Sequence, residues 1–168
     1  FRERIDACFA IAQRSAGIDL RTELYGTEGE LVNTELAQPL LFAFEYSLAC
    51  LLREWGIGAH AYVGHSVGEY VAACLAGVFT LEDAIEVVIA RGRLVQALPA
   101  GAMLAIPVDE ARASELIGEE LDLAAVNAPE RVTVAGDHDA IGRLQERLAG
   151  QGVESVRLSK VQAAWSLG

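Results

Sequence analysis

The residues Gly-His-Ser-Val-Gly-Glu at positions 64–69 constrain this chain more than any other feature, because of what flanks them. An apolar run typical of a strand precedes them, at residues 59–63, and one typical of a helix follows, at residues 70–76. A G-x-S-x-G pattern between a strand and a helix is typical of a nucleophile elbow, a sharp turn that holds its serine in strained backbone geometry. We therefore predict that Ser66 has an unusual backbone conformation and a reactive hydroxyl.

The two glycines of this pattern carry a second prediction. Gly64 and Gly68 stand two residues on either side of Ser66, where we expect a Cβ to collide with neighbouring backbone. The N-terminus of the following helix would bring free N–H groups and a positive dipole end close to Ser66, which favours an oxyanion there. The alternative is an ordinary glycine-rich turn between a strand and a helix, without a catalytic role. The flanking runs favour the catalytic interpretation.

Composition and charge narrow the class of protein. Apolar residues make up 52% of the 168 residues, which is enough for a substantial core, and the net charge of −11 argues against nucleic acids and anionic membranes as partners. The cysteines Cys8, Cys50 and Cys74 lie in helix-like segments without metal-ligand spacing. They predict buried thiols in a reducing compartment, no metal site and a cytoplasmic location. No apolar run has the length of a membrane span, and the first residues lack the layout of a signal peptide.

Periodicity predicts two regions and a tail. Residues 1–100 read as helices around the elbow, including long ones from Thr34 to about residue 55 and from Thr80 to about residue 97. The first of these carries a broad apolar stripe, and the second an apolar face on which Arg91 is the odd member. The stripe is Leu36, Leu40, Leu41, Phe44, Leu48, Leu51, Leu52 and Trp55, and the face is Ala84, Val87, Val88, Arg91 and Leu94.

The second region has the order βαββαβ, which is typical of a ferredoxin-like unit. It covers residues 101–158, with predicted strands at 103–108, 121–127, 132–135 and 153–158 and predicted helices at 109–117 and 137–149. The last ten residues, 159–168, show no clear period. We therefore predict an α/β protein of two domains, followed by an aberrant tail.

Several stretches together resemble the acyltransferase domains of type I polyketide synthases and the related malonyl-CoA:acyl carrier protein transacylases of fatty acid synthesis. The stretches are residues 34–46, 64–70, 76–84, 91–93 and 126–136, in the order of the family, so that the resemblance covers about residues 1–158. It implies part of an α/β-hydrolase-like core in residues 1–100, interrupted by a ferredoxin-like subdomain in residues 101–158.

The resemblance also implies a reaction. Ser66 would attack the thioester of malonyl-CoA, and the phosphopantetheine thiol of an acyl carrier protein would collect the acyl group from the acyl-enzyme. The N–H of Val67, next after the nucleophile, would supply one arm of the oxyanion hole. Coenzyme A thioester is then a substrate, no cofactor is bound, and neighbouring synthase domains are partners. Val67 and residues 37–39 resemble malonyl-type rather than methylmalonyl-type members.

Four residues are candidates for substrate binding. Arg91 lies 25 residues after Ser66, matching the substrate arginine of the family. A guanidinium can hold the free malonyl carboxylate by two parallel hydrogen bonds. The alternative, a surface arginine, suits Arg93 better. Gln38 and Asn127 match family positions near the pocket, although either could be an ordinary satisfied polar residue. We expect the side chain of His65 to point away from Ser66, in a packing or hydrogen-bonding role near the substrate.

The sequence departs from the family pattern in two places. The family's general-base histidine belongs in a stretch that here reads Gln-Ala-Ala-Trp-Ser at residues 162–166, so that Trp165 stands in its place. Tryptophan cannot accept a proton. The segment that supplies the second oxyanion N–H would lie before Phe1. We therefore expect a fragment truncated at both ends, without activity of its own.

Two other functions stay open on the sequence. A serine esterase or other hydrolase shares the elbow, but it calls for a downstream acidic residue and histidine and for no arginine facing the serine. A non-catalytic scaffold segment of a synthase agrees with Trp165, whereas the intact elbow and Arg91 speak against it.

Overall fold

The computed structural model describes residues 1–26 and 33–158, and the predicted tail lies outside them. The first compact unit spans residues 1–96 and the second begins at residue 97, against a predicted boundary after residue 100. Within the described residues the helices are α1 (Arg2–Ala16), α2 (Leu20–Tyr25), α3 (Thr34–Glu54), α4 (Gly68–Leu75), α5 (Leu81–Ala97), α6 (Glu110–Ile117) and α7 (His138–Gly150). The strands are β1 (Ala102–Ile106), β2 (Leu121–Ala128), β3 (Arg131–Gly136) and β4 (Val156–Leu158).

The described part of the first unit is helical, and its helices enclose one apolar core. Its members come from all five helices α1 to α5; fully buried ones are Cys8, Ala12, Leu20, Phe42, Ala43, Ala84, Ile85 and Val88. Two local signals set helix ends here. Gly17 adopts φ 71°, a left-handed conformation that closes α1. The Thr80 hydroxyl accepts a hydrogen bond from the N–H of Asp83 at 3.1 Å and so caps α5.

Helix α3 buries a different face from the predicted stripe. Pro39, Phe42 and Ala43 are buried, whereas Leu41 and Phe44 of the stripe are about half exposed. The helix is apolar on both sides, and the described residues cover only the side that faces α1, α2 and α4. By length and composition α3 could also cross a membrane, contrary to our expectation, although the core helix of a soluble protein passes the same test. The buried face of α5 is likewise rotated from the predicted one, since Ile85 and Ile89 are buried and Leu94 is exposed.

The strand predicted before the elbow is wrong for the described residues. Residues 59–63 lie outside every helix and strand, and Val63 is 93% exposed. A strand is completed by hydrogen bonds to a neighbouring strand. All four strands among the described residues belong to one sheet in the second unit, so residues 59–63 have no ladder to join.

The second unit follows the predicted order βαββαβ. Its four strands form an antiparallel sheet in the order β2-β3-β1-β4. Alternate residues of the central strands, Leu104 and Ile106 with Val132 and Val134, are fully buried in a core shared with α6 and α7. Strand β4 begins three residues later than predicted, because residues 150–153 complete the end of α7. There Gly152 adopts φ 73° and the N–H of Val153 donates to the carbonyl of Leu148 at 2.9 Å.

Candidate active site

Ser66 adopts the strained backbone geometry that the sequence predicts. Its φ is 54°, and among the described residues it is the only residue other than glycine with a positive φ. Left-handed backbone at a non-glycine residue is unfavourable and persists where the surrounding structure enforces it. Val67 follows as the N-cap of α4, which begins at Gly68. The hydroxyl of Ser66 is thereby presented at the start of a helix.

The two glycines of the elbow have different roles. A Cβ on Gly64 would lie 2.1 Å from the carbonyl carbon of Gly68 and 2.2 Å from the amide nitrogen of Glu69, so the predicted collision is confirmed there. The prediction for Gly68 is wrong. A Cβ on Gly68 meets only a carboxylate oxygen of Glu45, at an ordinary 3.6 Å. Glycine is therefore required at position 64, where the backbone packs on the first turn of α4. It is not required at position 68, within that turn.

Arg91 of α5 reaches the elbow. Its Nη2 donates a hydrogen bond to the Oγ of Ser66 at 3.1 Å, and its Nη1 donates to the Oε1 of Gln38 on α3. The guanidinium lies over the ring of Tyr70, with 5.8 Å between Cζ and the ring centroid. Three of the predicted site residues, Ser66, Arg91 and Gln38, are thus brought together from the turn before α4 and from helices α5 and α3. Gln38 is 7% exposed, and the structure shows it acting on Arg91.

The charge of Arg91 has no acidic partner among the described residues. Its contacts there are the amide oxygen of Gln38, the hydroxyl of Ser66 and the aromatic ring of Tyr70, which are all neutral. Arg93, two residues later, is the opposite case: its Nε pairs with the carboxylate of Glu35 at 2.8 Å. A half-buried guanidinium that meets only neutral groups is suited to an anion that arrives from outside.

His65 and Glu69 each accept a hydrogen bond from a backbone N–H of the elbow. The carbonyl of His65 accepts the N–H of Gly68 at 3.0 Å, and a carboxylate oxygen of Glu69 accepts the N–H of Gly64 at 3.1 Å. The exposed His65 also lines a cleft of about 400 Å³ with Glu45 and Tyr62, and Ser66 is not part of that lining.

Asn127 lies on β2 in the second unit. Its Nδ2 donates to the Oγ1 of Thr133 on β3 at 3.0 Å, which makes it a cross-strand partner. In the parts of the chain that the structure describes, no histidine hydrogen-bonds Ser66, and no group of three or more acidic, histidine or cysteine side chains could hold a metal ion. The stretch 162–166 with Trp165 lies outside those parts.

Sequence reasoning missed two contributors to the site. Tyr70 and Glu69 lie within the elbow motif and the helix-like run after it, but the sequence pattern assigns neither of them a role in the site. Tyr70 stands four residues after Ser66, which is one helical turn, so its spacing could have indicated a place beside the serine. No sequence signal pairs Glu69 with the N–H of Gly64, since that contact depends on how tightly the elbow closes.

Comparisons with known proteins identify a matching family and several similar structures. A family model described as "Acyl transferase domain" matches residues 1–165. Polyketide synthase GfsA of Streptomyces halstedii is 46% identical over 169 residues, which cover 95% of this chain and 2% of that protein. The solved acyl transferase domain of ZmaA has a TM-score of 0.86 at 41% identity, over 97% of this chain and 40% of that one.

A third similar protein is a malonyl-transacylase, solved with a type II polyketide synthase acyl carrier protein as PlMCAT:AntF. It has a TM-score of 0.81 at 31% identity, over 94% of this chain and 55% of that one. The chain therefore spans about half or less of the domains it matches, and a small part of the synthase. The mixed α/β fold, the elbow and the matched family model lead to one conclusion: this chain belongs to the acyl transferase domain family, among the acyltransferase domains of polyketide synthases.

Proposed function

We propose that Ser66 is acylated by a malonyl or related dicarboxylic acyl unit from coenzyme A and passes it to the phosphopantetheine thiol of an acyl carrier protein. The observation that carries this proposal is the Arg91 guanidinium, which lies 3.1 Å from the Oγ of the strained serine and faces only neutral groups among the described residues. A dicarboxylic acyl thioester supplies both an electrophilic carbonyl for Ser66 and a free carboxylate for Arg91.

The chemistry has two halves. The Oγ of Ser66 attacks the thioester carbonyl, an ester forms, the C–S bond breaks and coenzyme A leaves as its thiol with the proton of Ser66. The carrier thiol then attacks the ester, and Ser66 recovers a proton. We assign the N–H of Val67 to the oxyanion, because it directly follows the nucleophile at the start of α4. We assign no general base to the described residues.

Arg91 would select the acyl group. Its five N–H donors allow a carboxylate to be held by two parallel hydrogen bonds, while the contact with Gln38 keeps the guanidinium near α3. Gln38 would then affect substrate binding indirectly, by holding the guanidinium of Arg91 in place. For His65 and Asn127 a direct role in substrate binding stays a prediction, as does the preference for malonyl over methylmalonyl.

We infer that the first unit is part of an α/β-hydrolase-like core, supported by the elbow, and that the second is a ferredoxin-like subdomain. The βαββαβ order and the antiparallel sheet β2-β3-β1-β4 support the second assignment. We also propose a cytoplasmic location, neighbouring synthase domains as partners and no bound cofactor.

The two alternatives explain less of the site. A hydrolase of neutral esters has no use for an unpaired cation beside its nucleophile. A scaffold segment has no use for the strained backbone of Ser66, which lowers stability. Both features have a function in a dicarboxylic acyl transfer.

The test needs a complete acyltransferase domain, made by joining this chain to the residues of a solved domain that it does not match. We expect incubation with labelled malonyl-CoA, followed by peptide mapping, to place the label on Ser66. Ser66→Ala should remove it, whereas Ser114→Ala, which deletes another exposed hydroxyl, should not. Label on another residue, or persistent label in Ser66→Ala, would overturn the proposal.

A second measurement uses the chain as it stands. Malonate should protect Arg91 from modification by phenylglyoxal, because its carboxylates compete for the guanidinium, and acetate should protect it less. Arg93 is the internal control, since it already pairs with Glu35. Equal protection of both arginines would contradict an anion site at Arg91.

A further inference from the structure

We propose that Tyr70 is a positioning residue that holds Arg91 towards Ser66 and thereby strengthens the preference of the site for dicarboxylic acyl donors. The proposal rests on the proposed function above. In this role Tyr70 acts on the substrate only through Arg91.

The geometry places Tyr70 between the core and the arginine. The residue lies in the first turn of α4 and is partly buried, packed against the apolar core of the first unit. Its ring is therefore held by its own helix and by the core. The guanidinium of Arg91 lies over that ring at 5.8 Å from its centroid. With one face over the ring, the edge N–H groups are left to donate to Gln38 and Ser66.

A neutral partner is required here for an electrostatic reason. Arginine has a long side chain with many rotamers, and fixing it costs conformational entropy. A carboxylate partner would fix it, as Glu35 does for Arg93, but would also occupy the donors and cancel the charge that the substrate needs. An aromatic face attracts a cation through its quadrupole and leaves the N–H donors free. Tyr70 can thus orient Arg91 without competing with the incoming carboxylate.

The experiment compares Tyr70→Leu and Tyr70→Phe in the complete domain. Leucine keeps an apolar side chain and removes the ring, whereas phenylalanine keeps the ring and removes the hydroxyl. Tyr70→Leu should lower the malonyl-to-acetyl loading ratio about two- to fivefold, the range for one cation–π contact, mainly through a higher KM for malonyl-CoA. Tyr70→Phe should stay close to the unmodified domain.

A double-mutant cycle separates positioning from a role in folding. If Tyr70 acts through Arg91, Tyr70→Leu should leave the loading ratio unchanged in the Arg91→Ala background. An equal loss of malonyl and acetyl loading, or the same effect in both backgrounds, would show that the ring serves only the fold. Fluorinated phenylalanine at position 70 keeps the ring's shape and weakens its attraction for cations, so it decides the matter if the leucine variant does not fold. An unchanged ratio there would overturn the proposal.

The two proposals fail in distinguishable ways. If the unmodified domain is not labelled at Ser66, or if Arg91→Ala leaves its ratio unchanged, the proposed function is wrong. If the unmodified domain prefers malonyl and the fluorinated variant keeps the same malonyl-to-acetyl ratio, only the role of Tyr70 is wrong.

Discussion

The backbone N–H of Gly64 donates a hydrogen bond to the carboxylate of Glu69 at 3.1 Å, which ties the residue before the elbow to the first turn of α4. Ser66 stands between them with φ 54°. Left-handed strain of this kind costs on the order of 1–3 kcal/mol and persists only where neighbouring contacts enforce it. The Gly64–Glu69 contact and the close packing of Gly64 on Gly68 are such contacts.

Alanine substitutions at the two elbow glycines should therefore have unequal effects. Gly64→Ala puts a Cβ within about 2.2 Å of backbone atoms that cannot move without opening the elbow, and should cost at least 1–3 kcal/mol of stability, about the range for overpacking. Gly68→Ala makes only an ordinary van der Waals contact with Glu45, within a helix, and should change stability by less than about 1 kcal/mol. Urea unfolding of the chain measures both. Similar losses at both positions would contradict the packing described for Gly64.

Glu69 should be replaceable by glutamine and not by alanine. In Glu69→Gln an amide oxygen can still accept the N–H of Gly64, whereas Glu69→Ala leaves that donor to water. We expect faster hydrogen exchange of the Gly64 amide in Glu69→Ala, and slower acylation of Ser66 in the complete domain. The glutamine variant should lie nearer to the unmodified protein in both measurements. If the two variants behave alike, the acceptor oxygen of Glu69 does not hold the elbow.

Arg91→Ala and Arg93→Ala form a matched pair on one helix. Removing Arg91 should lower malonyl loading roughly ten- to a hundredfold, the worth of a charge-assisted hydrogen-bonded pair, and should affect acetyl loading much less. Arg93 is half exposed in its ion pair with Glu35, and its loss should change neither donor appreciably. Initial loading rates from the two thioesters decide this. Equal losses for both donors in Arg91→Ala would mean that the arginine serves the fold.

Alkaline pH should destabilise the first unit through Cys8. Burial raises the pKa of the Cys8 thiol to about 12, with a smaller contribution from Cys50 and Cys74. The unfolded chain loses this proton near the usual 9.0, so stability is present below pH 9 and falls as pH rises from about 9 towards 12. Cys8→Ala should flatten this dependence in urea unfolding under reducing conditions. Any slope that remains belongs to Tyr46 and Cys74, whose pKa values burial also raises. An unchanged slope in Cys8→Ala would contradict the assignment.

Acid should weaken the cap of α7. The carboxylate of Asp137 accepts the N–H of Ala140 at 2.7 Å, and this bond lowers its pKa from the usual 3.8. A lowered pKa stabilises the fold above the usual value, and that contribution is lost as pH falls. Asp137→Asn keeps a capping oxygen that does not titrate. The stability difference between the two proteins should therefore shrink from pH 7 to pH 3, and a constant difference would show that the charge of Asp137 contributes nothing.

The sequence by itself determined the features that depend on a few neighbouring residues. The G-x-S-x-G pattern predicted the strain at Ser66, and helices were predicted to begin at Thr80 and Asp137, whose side chains cap them. Turn and cap geometry are set by local sterics and hydrogen bonds. The βαββαβ order could also be predicted, because hydrophobic periodicity indicates each helix and each strand from its own residues. The 25-residue spacing of Arg91 from Ser66 indicated a shared site only through the family resemblance.

Only the tertiary structure decided what depends on distant partners. It selected Phe42 rather than Leu41 for burial on α3, left residues 59–63 without a strand to pair with, and showed that Gly64 and not Gly68 needs to be glycine. It also surrounded Arg91 with neutral groups while Arg93 received Glu35. Burial, strand pairing and the balance of charges around a side chain are properties of segments that meet in space, and a periodic pattern along one helix does not specify which side its neighbours will cover.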